Sequence, residues 1–316
     1  MKPCGFGAAP RARIHLVTPK QFRYKVITSL RHPLAFARAI RFKRLHAKGT
    51  GEHIKIRLKE MGVPMYISTA DPGISRDLMI WREREVEATK TLLQHLKPGQ
   101  TILELGANIG YYALLESKKI GPTGRIYALE PAPDNLALLR KNIELNGVGG
   151  YVTAEHGAVG NETKTATLHL VDKSNLHCIN EDAELKPDLN FIGKVDVPMY
   201  RVDDYLEQRG IDPKSVDVLR MDIEGFEVEA FAGMPKLLRQ EGELLIFVEI
   251  HPELIKHRLG EQAYVDFINS IADANFEILG AARSRTSRVD IPLNITSVRD
   301  LAKEDWAIEV ILKRSA

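Results

Sequence analysis

From Thr101 onward, short apolar runs alternate with amphipathic stretches, and that rhythm constrains the fold more than any other feature of the sequence. Residues 101–105, 125–129, 152–159, 216–221 and 244–250 read as strands, because each is short, apolar and rich in branched side chains. Residues 111–118, 133–145, 202–208, 227–239 and 262–275 read as the helices between them, and 276–279 and 307–312 as closing strands. Strands alternating with helices build a mostly parallel sheet covered on both faces. The expected fold is therefore α/β, a doubly wound Rossmann-like sheet with helices on both sides. Residues 99–316 form that domain in this reading.

Upstream, residues 51–98 read as a strand pair with its turn at 61–64, then a helix over 81–96 closed by Lys97, Pro98 and Gly99. Residues 1–50 read as a basic helical N-terminal extension. They hold twelve of the 44 Lys and Arg and no Asp or Glu, so the remaining 32 cations face all 42 acidic residues. Over residues 20–47, Phe22, Val26, Ile27, Leu30, Leu34, Phe36, Ile40 and Leu45 recur among Arg31, Arg38, Arg41, Lys43 and Arg44. Two readings fit that pattern: peripheral contact with an anionic membrane, or a helical cap packed on the body with solvated charges. The acidic body argues against nucleic acid as a partner, since phosphate backbones select basic surfaces. Cys4 and Cys178 are the only cysteines, too few and too far apart for a disulfide framework or a zinc finger. With no apolar run of membrane-spanning length and no secretory pattern, the expectation is a cytoplasmic protein.

The strongest chemical signal is ILELGANIGY, residues 102–111. A strand runs into Glu104, turns through Gly106, Ala107, Asn108 and Gly110, and enters a helix at Tyr111. Gly106 lets the backbone turn tightly and approach a ligand. The helix start offers free amides to a carboxylate, and Glu104 can hold an ammonium. A ligand with both charges at one end is an amino acid, such as the methionine part of S-adenosylmethionine. Glu130, at the tip of the next strand, has the position from which an acidic residue accepts ribose hydroxyls. An adenosine dinucleotide is the competing ligand, but Asn108 stands where its fingerprint has the glycine that admits a diphosphate.

Two further strand ends converge on the same crevice. VDVLRMDIEGF, residues 216–226, carries Arg220 and Asp222 on one face, and FVEIHP, residues 247–252, carries Glu249 and His251. A histidine among carboxylates suits a general base near neutral pH. Asp222, Glu249 and His251 have the donor types of a divalent metal site, but their order matches no standard metal spacing, and no metal is assigned. Residues 169–199 form the least regular stretch. It is the expected acceptor loop, with Asn175, His177 and Asn180 as its contacts.

These residues resemble the FkbM family of class I methyltransferases. The matching pieces are ELGANIGY from Glu104, Glu130-Pro131, VDDYL from Val202, MDIEGFE from Met221 and VEIH from Val248. The likeness runs over residues 80–313. The family more often has Asp at the position of Glu104 and Lys at that of Arg220. The resemblance implies a seven-stranded sheet with a reversed last strand, S-adenosylmethionine as donor, and O-methylation of a sugar or secondary-metabolite hydroxyl. It carries cofactor contacts onto Glu104, Gly106, Asn108, Gly110, Glu130 and Asp222, with Ala107 and Tyr111 in the same turn. In the mechanism read here, His251 is the base, Asp222 or Glu249 orients it, and Arg220 balances charge. N-methylation, a dinucleotide oxidoreductase and a non-catalytic binding protein are the alternatives.

Overall fold

The computed structural model describes residues 32–179, 190–286 and 289–314. Readings that fall on residues 1–31, and on Asn180, lie outside these. Helix α1 (Pro33–His46) opens on Pro33, whose fixed φ suits a first helical turn. A hairpin of β1 (His53–Arg57) and β2 (Pro64–Ser68) follows, with Met61 and Gly62 at its turn in the left-handed region. Helices α2 (Ile74–Trp81) and α3 (Val86–His95) lead into the body. One helix over 81–96 was expected there. The chain instead breaks at Arg82 and Glu85, both at positive φ (67° and 44°).

The body begins with β3 (Thr101–Leu105), α4 (Tyr111–Ile120), β4 (Arg125–Glu130), α5 (Pro133–Asn146), β5 (Val152–His156) and β6 (Ala158–Val159). It continues through β7 (Lys164–Val171), β8 (Phe191–Tyr200), α6 (Val202–Gln208), β9 (Val218–Met221), α7 (Glu227–Ala232) and α8 (Pro235–Leu238). β10 (Leu244–Ile250), α9 (Pro252–Leu259), α10 (Glu261–Asp273), β11 (Glu277–Thr286), β12 (Val289–Pro292) and β13 (Ile308–Arg314) complete it. The helix expected over 227–239 is two, because Pro235 cannot continue α7 and starts a new turn.

The main sheet runs β12-β11-β13-β10-β9-β3-β4-β5. Strands β5, β4, β3, β9 and β10 are parallel, whereas β13 is antiparallel to both β10 and β11, and β12 to β11. The seven-stranded sheet with one reversed strand is thus corrected to eight strands with two reversed. The extra strand arises because β11 extends past residue 279 through small and polar residues that carry no strand signal, held by its ladders to β13 and β12. Chain order switches direction between β3 and β9, the place where such sheets open a ligand crevice.

Side chains alternate across the sheet and divide the core in two. Ile102, Val218 and Phe247 pack on the face shared with α3 and α4, and Leu103, Leu219 and Ile246 pack on the other with α10. The stretch 169–199 is less irregular than its sequence, for its ends belong to β7 and β8 of a separate sheet ordered β6-β8-β7. Helix α1 docks on the body through buried Phe42 and Ala35, and Arg38 Nη1 donates to Ile80 O at 3.2 Å. Its outer side leaves Leu34 70% exposed, with Phe36 and Ile40 also open to solvent. Among the described residues, no helix is long and apolar enough to cross a membrane.

Candidate active site

The glycine turn exists because β3 and β9 end side by side. A Cβ on Gly106 (φ 83°) would lie 2.0 Å from Asp222 O, so only glycine lets the two strand ends approach. Asn108 takes a left-handed φ of 49°, and its Oδ1 accepts from Ile109 N at 2.8 Å. Gly110 serves packing: a Cβ there would meet Leu139 Cδ1 at 2.6 Å.

Glu130 sits beneath this turn with three donors on its carboxylate. Oε2 accepts from Asn108 N at 2.7 Å, and Oε1 from Ala132 N at 3.0 Å and Asn135 Nδ2 at 3.2 Å. Burial nevertheless pushes its pKa up to about 7. Asn108 and Asn135 also donate to Ser174 O, at 3.1 and 3.0 Å. Ser174 in turn donates its amide and hydroxyl to the Asp71 carboxylate at 3.0 and 2.9 Å. The segment after β7 is thereby tied both to the turn and to the loop before α2.

A cavity opens between these parts. Gly106, Ala107, Asn108, Tyr111, Glu130 and Asp222 line it, as expected from the sequence, together with Asn175 and His177 of the expected acceptor loop. Glu104 and Gly110 do not. Glu104 is 1% exposed and pairs with Arg220, its register partner on β9, at 3.2 Å. Lying outside the cavity lining, Glu104 is not placed to hold an ammonium there. Its Oε1 meets Arg220, whose guanidinium stacks 3.5 Å over the Tyr112 ring. Glu116, fully buried, is pushed well above the usual carboxylate range by burial and then by the Glu104 charge.

Two residues absent from the sequence reading supply charge instead. Arg84 and Glu85 come from the break between α2 and α3 and line the cavity as an ion pair. Glu85 is 3% exposed and accepts from Tyr112 Oη at 2.7 Å. Burial works against its charge, yet Arg84 and then Arg220 outweigh it and hold its pKa low. No motif announces this pair; only the strained φ of Glu85, buried beside a ligand cavity, marks it.

The ends of β9 and β10 form a carboxylate cluster around His251. His251 Nδ1 lies 3.0 Å from Glu227 Oε1, while Nε2 faces Glu224 at 3.8 Å and Glu249 at 3.9 Å. Burial alone would favour neutral imidazole. Glu227, then Glu224 and Glu249, outweigh it and raise the pKa, which favours the imidazolium. His251 lines neither this cavity nor its neighbour. Burial and then Glu224 push Asp222 up to about 6; burial and then Asp222 push Glu249 up to about 8. Asp222, Glu224 and His251 each offer one ligand atom within 4.8 Å of the others, a donor set a divalent cation can take. Glu224 thus replaces Glu249 in the trio considered from sequence. By sequence alone, Glu224 and Glu227 read only as acidic charges that favour the start of the helix expected over 227–239.

Residues 104–278 match the family model of the methyltransferase FkbM domain. The chain is 29% identical over 164 residues to methyltransferase sdnD of Sordaria araneosa, covering 45% of this chain and 63% of that protein. It is 26% identical over 178 residues to the 31-O-demethyl-FK506 methyltransferase FkbM of Streptomyces tacrolimicus, covering 48% and 66%. To the hexuronic acid methyltransferase AglP of Haloferax volcanii it is 24% identical over 177 residues, covering 54% and 66%. The chain spans less than two thirds of each of these relatives.

Proposed function

We propose that this chain, which belongs to the FkbM methyltransferase domain family, transfers the methyl group of S-adenosylmethionine to a hydroxyl oxygen. The observation that carries the reading is Glu130, buried at the tip of β4 beneath the glycine turn and lining a cavity that also holds Arg84, Glu85 and Asp222. A carboxylate for ribose hydroxyls, apolar Leu129, Ala158 and Leu168 for an adenine, and charges of both signs for an amino-acid group together fit this donor. Bound there, the donor supplies an electrophilic methyl on its sulfonium.

The protein has to orient the acceptor and take its proton. Sequence reasoning gave the second task to His251. Because that imidazole is biased toward its charged form and lies outside the cavity lining while Asp222 lies within it, we assign proton acceptance to Asp222. Against burial and Glu224, Arg220 and then His251, fixed by Glu227, favour the ionised form of Asp222. A divalent cation on Asp222, Glu224 and His251 is a second way to acidify an acceptor hydroxyl. Loss of turnover on chelation, restored by Mg²⁺, would favour it.

The acceptor named for one relative, 31-O-demethyl-FK506, motivates a hydroxyl acceptor here. Calorimetry with S-adenosylhomocysteine and with NAD separates methyl transfer from dinucleotide chemistry. Mass spectrometry of a small-molecule extract incubated with protein and donor should show products heavier by about 14 daltons per methyl. Tight NAD binding, or no S-adenosylhomocysteine binding at millimolar concentration, would sink the reading. We also propose that the outer side of α1 contacts anionic membrane.

A further inference from the structure

We infer that the methyl acceptor is held in a second cavity, across Arg220 and Tyr112 from the donor cavity, and that this cavity selects an alcohol with an apolar body. The word acceptor rests on the methyl-transfer reading; the cavity as a ligand site does not.

The second cavity has a volume of about 340 Å³, within the range of small-molecule sites. Its origin is local. Helix α3 forms one wall with Thr91, Leu92 and His95, and Phe247 of β10 and Ile311 of β13 belong to the sheet facing it. On β11, a register shift between Ile278 and Gly280 is followed by Gly280 and Ala282 on the cavity face, opposite Ile311 and Glu309, which place nothing larger than a methyl group along that side. Large side chains at those positions would fill the space.

Both cavities share Arg220 and Tyr112 in their linings, so they adjoin at the stacked guanidinium and ring, and the acceptor hydroxyl has to sit at that edge to meet the donor's methyl. Carboxylates stand on both sides of it: Asp222 lines the donor cavity, Glu249 lines the second, and His251 Nε2 lies 3.9 Å from Glu249. Glu249 also stands opposite Glu309 across the β10–β13 ladder. Polar groups therefore gather at the shared edge, while Leu92, Phe247 and Ile311 supply apolar lining. An apolar body with a hydroxyl at one end satisfies both. A free sugar would press hydroxyls against the apolar lining and lose their hydrogen bonds to water.

The probe is 2-naphthol, a rigid apolar body with one hydroxyl, titrated by fluorescence into the full chain saturated with S-adenosylhomocysteine. Saturable binding is expected, weakened at least about tenfold by Ala282→Trp, which stands opposite cavity-lining Glu309 and fills the cavity from β11. Thr91→Phe, from the opposite wall, should weaken it as well, which covers the case in which the tryptophan variant does not fold. S-adenosylhomocysteine affinity should stay within about threefold in both. No saturable binding at millimolar probe, unchanged probe affinity in the folded variants, or displacement of the probe by S-adenosylhomocysteine each overturns the site. Tighter binding of methyl glucoside than of 2-naphthol overturns the apolar selection. Probe binding that responds as expected, in a protein that methylates no alcohol, leaves the cavity standing and removes the methyl-transfer reading. Methylation untouched by filling the cavity does the reverse.

Discussion

Replacing Glu130 by Gln tests donor binding and folding at once. The carboxylate is 4% exposed and serves Asn108 N on one oxygen, and Ala132 N and Asn135 Nδ2 on the other. An amide has one acceptor oxygen, so it must turn its NH₂ toward one of these donor sets. Facing a buried donor with a donor costs about 1–3 kcal/mol of stability. Against this stands the cost of ionising Glu130. Its folded pKa lies near 7 against an unfolded value of 4.5, so ionisation removes stability as pH rises from about 4.5 to 7. Fully developed, that loss is roughly 3 kcal/mol, and the glutamine variant escapes it. The variant should be clearly less stable than the parent at pH 4.5 and approach it above pH 7, followed by urea denaturation. Donor binding should move the other way. Hydrogen bonds from ribose hydroxyls to a carboxylate are worth about 1.5–3 kcal/mol, so Glu130→Gln should lose about 10- to 100-fold in S-adenosylhomocysteine affinity at pH 8. The parent's affinity should rise as pH passes about 7, and the variant's should not. Calorimetry from pH 5.5 to 8.5 reads both. A folded variant that binds within about twofold of the parent at pH 8 refutes the ribose-holding role.

Arg220→Met leaves Glu104 buried beside Glu116 without its cation; a loss of about 3–5 kcal/mol is expected in urea denaturation. Adding Glu104→Gln to that variant should restore part of it, and no restoration would mean that the ion pair is not the cause. For proton acceptance, turnover should rise with pH through about 6 as Asp222 ionises, and Asp222→Asn should cost about 10²- to 10⁴-fold. His251→Gln removes a charge that lowers the Asp222 pKa, so the rising limb should move to higher pH; an unmoved limb would take His251 out of the mechanism. On α1, exposed Arg41, Lys43 and Arg44 flank Leu34, Phe36 and Ile40. Three cations at about 1 kcal/mol each predict roughly a hundredfold preference for anionic over neutral vesicles in cosedimentation. Equal binding to both would reduce α1 to a structural cap.

What the sequence made legible is what one strand and the turn after it decide. The strand into Glu104, the glycine bend and the carboxylate at Glu130 are set by local spacing, and all three fold as expected. Relations between strands were not legible. Glu104 and Arg220 are 116 residues apart, and nothing short of the β3–β9 register pairs them. The same holds for the break at Arg82–Glu85: helical periodicity runs through it, and tertiary packing rather than propensity sets two residues at positive φ. β12 escaped notice because its pairing partner, the far half of β11, is small and polar and lacks the apolar alternation of a strand. Glu224 and Glu227 show the converse error, where a sound local reason, acidic charge at a helix start, hid their approach to His251.

These cross-strand relations also bear on how the carboxylates divide their work. The sequence reading made Asp222 a donor contact and a candidate to orient His251, and the role proposed above adds the acceptor's proton. One carboxylate cannot do both, because a bound ammonium would depress its pKa and weaken it as a base. With Glu104 engaged by Arg220, the cavity still holds Glu85, kept ionised by Arg84 and Arg220 despite full burial. Glu85 can take the ammonium and free Asp222, whose pKa near 6 makes it a stronger base than an exposed carboxylate while leaving it mostly charged at neutral pH. Arg220 cannot move the proton itself, since its pKa is raised above an already high value, with burial outweighed by Glu104 and Tyr112. Its place is the edge where the two cavities adjoin, and its work is to compensate charge. The division of labour requires Glu85→Gln to weaken S-adenosylhomocysteine binding and Asp222→Asn to spare it; the opposite pattern would return Asp222 to the donor and leave the acceptor's proton to the cluster around His251.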